Sequence, residues 1–138
     1  MRARFLIAIL VFAALGLCGC AKQDKLIGTW TGKWQTVDIV QTFAADGTYK
    51  TSGTINAPGM PKPINMEMAG TFTHEGDKLT LTPTSFDMPG VDPAIKGMVE
   101  SQAKSQMMKP ETATITWASD DEFEIKGASG LSKLTRKK

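Results

Sequence analysis

Few residues in this chain carry the chemistry that nucleophilic catalysis or metal binding needs. Cys18 and Cys20 are the only cysteines and lie two residues apart, and His74 is the only histidine. A thiol pair at that spacing could form a disulfide, clip a metal ion or supply a nucleophile for covalent modification. Catalytic triads and most metal sites combine a histidine or a free cysteine with other polar groups. The sequence therefore predicts no enzyme, no metal site and no cofactor, and we expect His74 to be an exposed hairpin residue.

The N-terminus decides how the two cysteines are interpreted. The chain opens with the basic segment 1–4 and continues with an apolar run from Phe5 to Leu17. A basic start, an apolar run of this length and a small residue at its end are typical of a secretory signal peptide. The run is too short to cross a bilayer, which takes roughly 20 residues. We therefore predict that the protein is exported.

The stretch Leu17-Cys18-Gly19-Cys20 resembles the lipobox of bacterial lipoproteins, in which an aliphatic residue lies three places before a cysteine and a small residue directly before it. The resemblance implies that residues 1–19 are the signal peptide and that a diacylglycerol is attached to the Cys20 thiol. It also implies acylation of the new amino group, for example with palmitate. Cys18 does not fit the pattern, because Leu17 before it is too bulky. The alternative is a chance cysteine pair in a signal that is simply removed.

The residue after Cys20 carries a further implication of that resemblance. In Gram-negative bacteria an aspartate there generally retains a lipoprotein in the inner membrane, whereas this chain has Ala21. The resemblance therefore implies an anchor in the cell outer membrane, on the periplasmic face, if the host is Gram-negative. Residues 20–25 would be a lipidated tether, and residues 26–138 the folded domain.

Loss of the signal peptide would change the charge balance. The full chain has 16 basic and 14 acidic residues, and removal of Arg2 and Arg4 makes the two numbers equal. Nucleic-acid-binding proteins need a basic surface, so we predict no nucleic-acid partner. With Cys18 removed and Cys20 acylated, the mature domain would contain no disulfide and would depend on its core for stability.

Alternation of apolar and polar residues, with turn residues between the runs, predicts strands over most of the mature chain. Trp30 and Trp34 fall on one face of the first run. The pair Asp46-Gly47 is a strong hairpin signal, and Glu75-Gly76-Asp77 separates two further alternating runs. With the runs towards the C-terminus, these make about eight strands in consecutive hairpins.

One helix interrupts this pattern. Asp92-Pro93 combines an N-cap residue with proline at the first helical position, and the helix is expected to end near Lys109, before Pro110. The segment from Ser85 to Pro93 is expected to be irregular. The apolar stripe that would place the helix on the barrel or across its mouth consists of Ile95, Met98, Val99, Ala103 and Met107.

The fold class predicted from these elements is all-β with one helix between strands 5 and 6. An antiparallel meander of about eight strands packs as a sandwich or closes as a barrel. Closure removes the exposed edges, and a barrel of this size can fill its interior or hold one small ligand.

Three stretches, "LIGTW", "FAADGTY" and "LSKLTR", resemble bacterial lipocalin-like domains. Gly28 and Trp30 match the Gly-x-Trp motif on the first strand of that family. The resemblance implies a lipocalin-like β-barrel in which Trp30 packs at the closed end under an arginine from late in the chain, and Arg136 is the arginine that ends the last strand. The chain departs from the family in the position of its helix and in its shorter length.

The resemblance and the inward-facing apolar residues together predict a membrane-anchored module that binds a small hydrophobic ligand in the cell envelope. We expect the ligand to contact inward-facing aromatic, methionine and aliphatic side chains, namely Trp34, Phe43, Tyr49, Met66, Met68, Phe72, Ile115, Trp117 and Phe123.

Two alternatives remain open from the sequence. The barrel could be filled, and the protein could act as a structural lipoprotein that contacts another envelope protein. The methionines could also bind Cu(I), because thioethers are soft ligands. Met66 and Met68 alternate correctly for the interior, however, which favours a role in the core or in the lining of a pocket.

Overall fold

The chain forms eight strands and one helix. The computed structural model describes residues 24–56, 58–59 and 61–138. The elements, in chain order, are β1 Gly28–Trp34, β2 Val37–Phe43, β3 Thr48–Ile55, β4 Ile64–Glu75, β5 Lys78–Asp87, α1 Pro93–Met107, β6 Glu111–Ser119, β7 Glu122–Gly127 and β8 Gly130–Arg136. The predicted signal peptide, Cys20 and most of the tether lie outside the described residues.

The strands form a closed barrel. Each strand pairs antiparallel with the next, and β1 pairs with β8 from Trp30↔Arg136 to Trp34↔Ser132. The predicted meander, its closure and the position of the helix between strands 5 and 6 are therefore confirmed. Because the barrel closes on itself, residues 24–138 contain both its complete wall and its core, as an independently folding domain requires.

The two ends of the barrel differ. The end at which β1 begins and β8 finishes, here called the closed end, is filled by a buried cluster of Leu26, Trp30, Phe43, Tyr49, Leu79, Ile115, Phe123 and Leu134. The rings of Trp30 and Phe123 meet edge to face with centroids 4.5 Å apart. At the opposite end, here called the open end, lie the connection through α1 and the turn between β7 and β8.

Strand β5 is longer than the sequence pattern predicts. It continues to Asp87, so the prediction of irregular structure from Ser85 was wrong for the first residues of that segment. Strand β5 pairs with β6 only from Lys78 to Leu81, while its remaining residues pair with β4 alone. A strand with one free edge tolerates Pro83, which lacks an N–H to donate. Between Leu81 and the open end of the barrel, β5 is therefore not paired with β6.

Helix α1 begins as the sequence predicts. The Asp92 carboxylate accepts a hydrogen bond of 2.9 Å from the Ala94 N–H, and Pro93 occupies the first helical position. The helix ends at Met107, slightly earlier than expected. It is 15 residues long, and no helix in the described ranges is long and apolar enough to span a membrane.

The N-terminal part of the apolar stripe of α1 does not pack on the barrel, which was one of its two predicted positions. Met98 is 75% exposed and Ile95 is 47% exposed. An ion pair of 2.5 Å between Lys96 and Asp87 connects the helix to the end of β5. The helix is therefore attached at the open end mainly through its polar side, which explains why Ile95 and Met98 stay in solvent, whereas Met107 at its C-terminal end is half-buried.

Arg136, at the end of β8, contacts the segment before β1 at the closed end of the barrel. Its guanidinium lies 4.2 Å from the ring centroid of Trp30 and donates hydrogen bonds to the carbonyls of Ile27 at 3.0 Å and Lys25 at 2.8 Å. The Trp30 indole N–H donates to the Leu26 carbonyl at 2.8 Å. Residues 25–27 are therefore held across the closed end by one arginine and one tryptophan.

Gly28 is required by this arrangement. Its φ angle is +141°, and a Cβ atom placed there would lie 2.5 Å from Nη1 of Arg136. Any larger residue would meet both an unfavourable backbone conformation and the guanidinium.

We expect the Arg136→Lys variant to unfold more easily than the wild type. Lysine keeps the charge, but it cannot form the guanidinium's set of hydrogen bonds or stack on the indole in the same way. The free energy of unfolding in urea should fall by about 1–3 kcal/mol. Lys137→Ala is the matched control, and an equal loss in that variant would contradict the role assigned to Arg136.

Candidate functional site

A cavity of about 370 Å³ occupies the open half of the barrel. Its walls come from the strands that surround it, and its mouth comes from the end of α1, the segment that follows and the β7–β8 turn. The residues that line it are Trp34, Ile39, Gln41, Tyr49, Thr51, Met68, Leu81, Pro83, Gln106, Met107, Lys109, Pro110, Glu111, Ala113, Ile125, Gly127, Ala128, Ser129, Gly130, Ser132 and Leu134. The volume lies within the range of small-molecule sites.

Three polar side chains, here called the polar wall, line this cavity from β2 and β3. They are Gln41, Tyr49 and Thr51. Gln41 and Thr51 are direct partners across the two strands, and Tyr49 lies two residues from Thr51 on the same face. Gln41 is 5% exposed and Tyr49 is 2% exposed. The Tyr49 and Thr51 hydroxyls are buried without a hydrogen-bond partner among the described residues.

A carboxylate lies on the other side of the cavity, near its mouth. Glu111 begins β6 and accepts hydrogen bonds from the backbone N–H of Ser129 at 3.3 Å and from its hydroxyl at 3.0 Å. Burial, and then the negative charge of Glu111, raise the pKa of Tyr49 to about 12. Tyr49 is therefore a neutral hydroxyl at physiological pH.

The predicted ligand-contacting residues divide between the cavity and the packed core. Trp34, Tyr49 and Met68 line the cavity. The others do not, and most of them lie in or against the core cluster of the closed half: Phe43, Phe72, Ile115, Trp117 and Phe123. They point inward as the alternation predicts, but they pack against one another in the core. The rings of Phe43 and Phe72, for example, have centroids 5.0 Å apart.

Met66 is the remaining predicted contact, and it lies elsewhere. It lines a shallow groove of about 670 Å³ that runs across β1 to β4, together with polar residues such as Lys33 and Glu67. Met66 and Met68 therefore do not line the same space. Within the described ranges, no group of three or more His, Cys, Asp or Glu side chains is placed to hold a metal ion.

His74 differs from the sequence prediction. Its side chain is 11% exposed, and its Nδ1 atom lies 2.7 Å from a carboxylate oxygen of Asp24. Asp24 also accepts a hydrogen bond of 2.9 Å from the Leu26 N–H. The prediction of an exposed hairpin residue was wrong, because Asp24, from the segment before β1, covers the end of β4.

The structure brings together the residues of the Gly-x-Trp motif and Arg136 at the closed end, away from the cavity. Sequence reasoning did not identify Gln41, Thr51 and Glu111 as lining residues. A signal was present for Gln41, because it alternates in phase with the inward-facing Phe43. Three further residues line the cavity because of where the helix ends relative to the barrel: Gln106, Met107 and Lys109. Alternation does not reveal that position.

We expect the titration of Tyr49 to depend on Glu111. Tyr49 is the only tyrosine, so tyrosinate absorbance reports on this group alone. In the folded protein the midpoint should lie near 12, compared with an ordinary value of 10.0. Glu111→Gln should lower the midpoint without restoring the ordinary value, because burial is the larger cause. Glu67→Gln, in the shallow groove across β1 to β4, is the control and should leave the midpoint unchanged.

The same shift makes stability depend on pH. Because the pKa is raised in the folded state, the contribution of the neutral phenol is complete below pH 10 and is lost as the pH rises towards 12. Circular dichroism over this interval should show a steeper loss of stability in the wild type than in Tyr49→Phe. Equal slopes would contradict the burial of the hydroxyl.

No protein-family model matches the chain, and no curated protein matches it. Among solved structures, the chain is similar to an uncharacterized protein from Bacteroides eggerthii DSM 20697, with a TM-score of 0.49 and 13% sequence identity. The similarity covers 81% of this chain and 99% of that protein.

Proposed function

We propose that this chain is an exported lipoprotein, anchored through Cys20, whose barrel binds a small and mainly apolar ligand. The observation that supports this function most strongly is the cavity of about 370 Å³ in the open half of the barrel. If each non-hydrogen atom takes about the 30 Å³ of a water molecule, the cavity holds a ligand of about a dozen such atoms.

The composition of the cavity supports an amphipathic ligand. Trp34, Met68, Leu81 and Ile125 supply apolar surface, and the polar wall supplies a small number of hydrogen-bonding groups. A pocket that is mainly apolar with a few fixed polar groups is the usual form of a small-molecule site. Methionine adapts to ligands of differing shape, because its side chain is flexible and polarisable.

The entrance is formed where the barrel wall is least complete. Pairing between β5 and β6 extends only over Lys78–Leu81 and Glu111–Thr114. Beyond it, Pro83 on one side and Pro110 on the other line the cavity, and Met107 lies at the end of α1. A ligand could enter here through a small movement of the helix end, without breaking a strand pair.

The position of the tether supports a barrel whose mouth is free. Asp24 contacts His74 at the closed end, and Cys20 is four residues earlier in the sequence. An anchor at Cys20 would therefore hold the barrel by the end opposite the cavity. The mouth could then receive a ligand from the surrounding compartment or from a partner.

The alternative of a structural lipoprotein requires a filled barrel. The closed half is filled by the core cluster, but the open half contains the cavity and two buried hydroxyls that have no hydrogen-bond partner in the part of the chain that the structure describes. A core that served only stability would place apolar side chains at these positions. The open half therefore favours the binding module.

We expect Ser132→Phe to weaken binding of a medium-chain alcohol by tenfold or more. Ser132 is 9% exposed and lines the cavity, so a phenyl ring there would occupy part of the space that the ligand needs. Affinity should be measured by isothermal titration calorimetry with decanol, on residues 20–138 carrying Cys20→Ser.

The control for this experiment is Ser52→Phe, which adds the same ring to an exposed position of β3. It should bind decanol like the parent protein. Absence of decanol, decanoate and decylammonium binding by the parent protein would refute the proposed binding function.

The proposed anchor predicts a difference between the two cysteines. Cys20→Ser should release the protein from the membrane fraction or prevent its maturation, because serine lacks the thiol that forms the thioether. Cys18→Ser should leave localisation unchanged. Fractionation followed by mass spectrometry of the N-terminal peptide tests both, and an unmodified Cys20 in the wild type would refute the anchor.

A further inference from the structure

We propose that the polar wall binds an uncharged head group that both donates and accepts hydrogen bonds, such as a hydroxyl or a primary amide. The apolar part of the ligand then extends towards the mouth. This inference rests on the proposed function, because it specifies the ligand class for the same cavity.

The first argument is the state of the buried hydroxyls. Tyr49 is 2% exposed, and neither its hydroxyl nor that of Thr51 has a hydrogen-bond partner among the described residues. A buried donor without a partner is costly, and most buried polar groups in folded proteins are paired. Both side chains line the cavity, so a ligand placed there can pair with them.

The second argument is the match of donors and acceptors. The Tyr49 hydroxyl can donate, the Thr51 hydroxyl can donate or accept, and the Gln41 amide does both. Gln41 and Thr51 face each other across β2 and β3, so their side chains converge on one place. A head group with one donor and one acceptor can bind between them, whereas a purely apolar group would leave the Tyr49 and Thr51 hydroxyls unpaired.

The third argument is charge. The polar wall carries no ionised group, and the Glu111 carboxylate lies close enough to raise the pKa of Tyr49. An anionic head group would be repelled by Glu111. Among the described residues that line the cavity, the cation is Lys109, which lies in the segment between α1 and β6 at the mouth. Among the described lining residues, the carboxylate available to a cationic head group is Glu111, to which Ser129 already donates two hydrogen bonds.

The arrangement of the lining also gives the ligand a direction. Tyr49 belongs to the core cluster and marks the inner limit of the cavity, whereas Met107 and Pro110 lie at the mouth. The polar wall is therefore nearer the closed half than the mouth is. A ligand bound to the polar wall therefore enters with its head group first. A charged head group would favour the opposite orientation, in which it stays at the mouth and is solvated by water.

The test compares three ligands that share one chain length: decanol, decanoate and decylammonium. Isothermal titration calorimetry near neutral pH is carried out on residues 20–138 with Cys20→Ser, and on the same protein with Tyr49→Phe or Thr51→Val. Decanol should bind most tightly. Each variant should weaken decanol by roughly fivefold to tenfold and leave the weaker binding of the two ions unchanged.

Stability measurements separate this role from a structural one. In both variants an unpaired buried hydroxyl is removed, so the unliganded protein should unfold at the same urea concentration as the parent or at a higher one. A variant that lost both stability and affinity would indicate that the hydroxyl supports the fold, and would overturn the inference.

Two variants near the mouth, Lys109→Gln and Glu111→Gln, test the opposite orientation, in which the head group lies at the mouth. If decanoate lost affinity in the first or decylammonium in the second, while decanol binding stayed the same in Tyr49→Phe and Thr51→Val, the head group would lie at the mouth and the inference would be wrong. The proposed binding function would survive that result. Failure of all three ligands to bind the parent protein would overturn both.

Discussion

The contact between the Arg136 guanidinium and the Trp30 ring is the interaction on which the rest of the barrel depends. It joins the last strand to the first, and through the carbonyls of Lys25 and Ile27 it holds the incoming chain across the closed end. With that end covered, Trp30 can be completely buried and can pack against Phe123. Gly28 is part of the same arrangement, because only a residue without a side chain leaves room for the guanidinium.

Filling of the closed half leaves the free space of the barrel in the open half. Eight strands enclose enough space for side chains and one small molecule. Here the aromatic and aliphatic side chains collect at one end, so the space that remains lies between Tyr49 and the open end. The short β5–β6 pairing leaves the barrel wall incomplete beside this space. The asymmetry of the core therefore leaves the cavity at the end where the wall is least complete.

The sequence predicted the fold well and the site only in part. Alternation identified the strands and their inward faces, because one side of each strand must be buried. The Gly-x-Trp pattern and Arg136 proved to lie together, as the resemblance implied. Alternation does not show at what height along the barrel an inward side chain lies. Phe43 and Trp34 therefore looked equivalent, although one is in the core and the other lines the cavity. His74 was mispredicted for a similar reason, since its partner Asp24 is 50 residues away.

Unpaired buried polar atoms have different meanings in the two halves of the barrel. The Nε2 atom of His74 is buried without a partner among the described residues, as are the hydroxyls of Tyr49 and Thr51. His74, however, is fixed through Nδ1 by Asp24 and is not among the residues that line the cavity. Its role is adequately explained by attachment of the incoming segment. The two hydroxyls have no such explanation, because phenylalanine and valine would fill nearly the same volume at lower cost. Their position beside the cavity is what favours the proposal that they pair with a ligand.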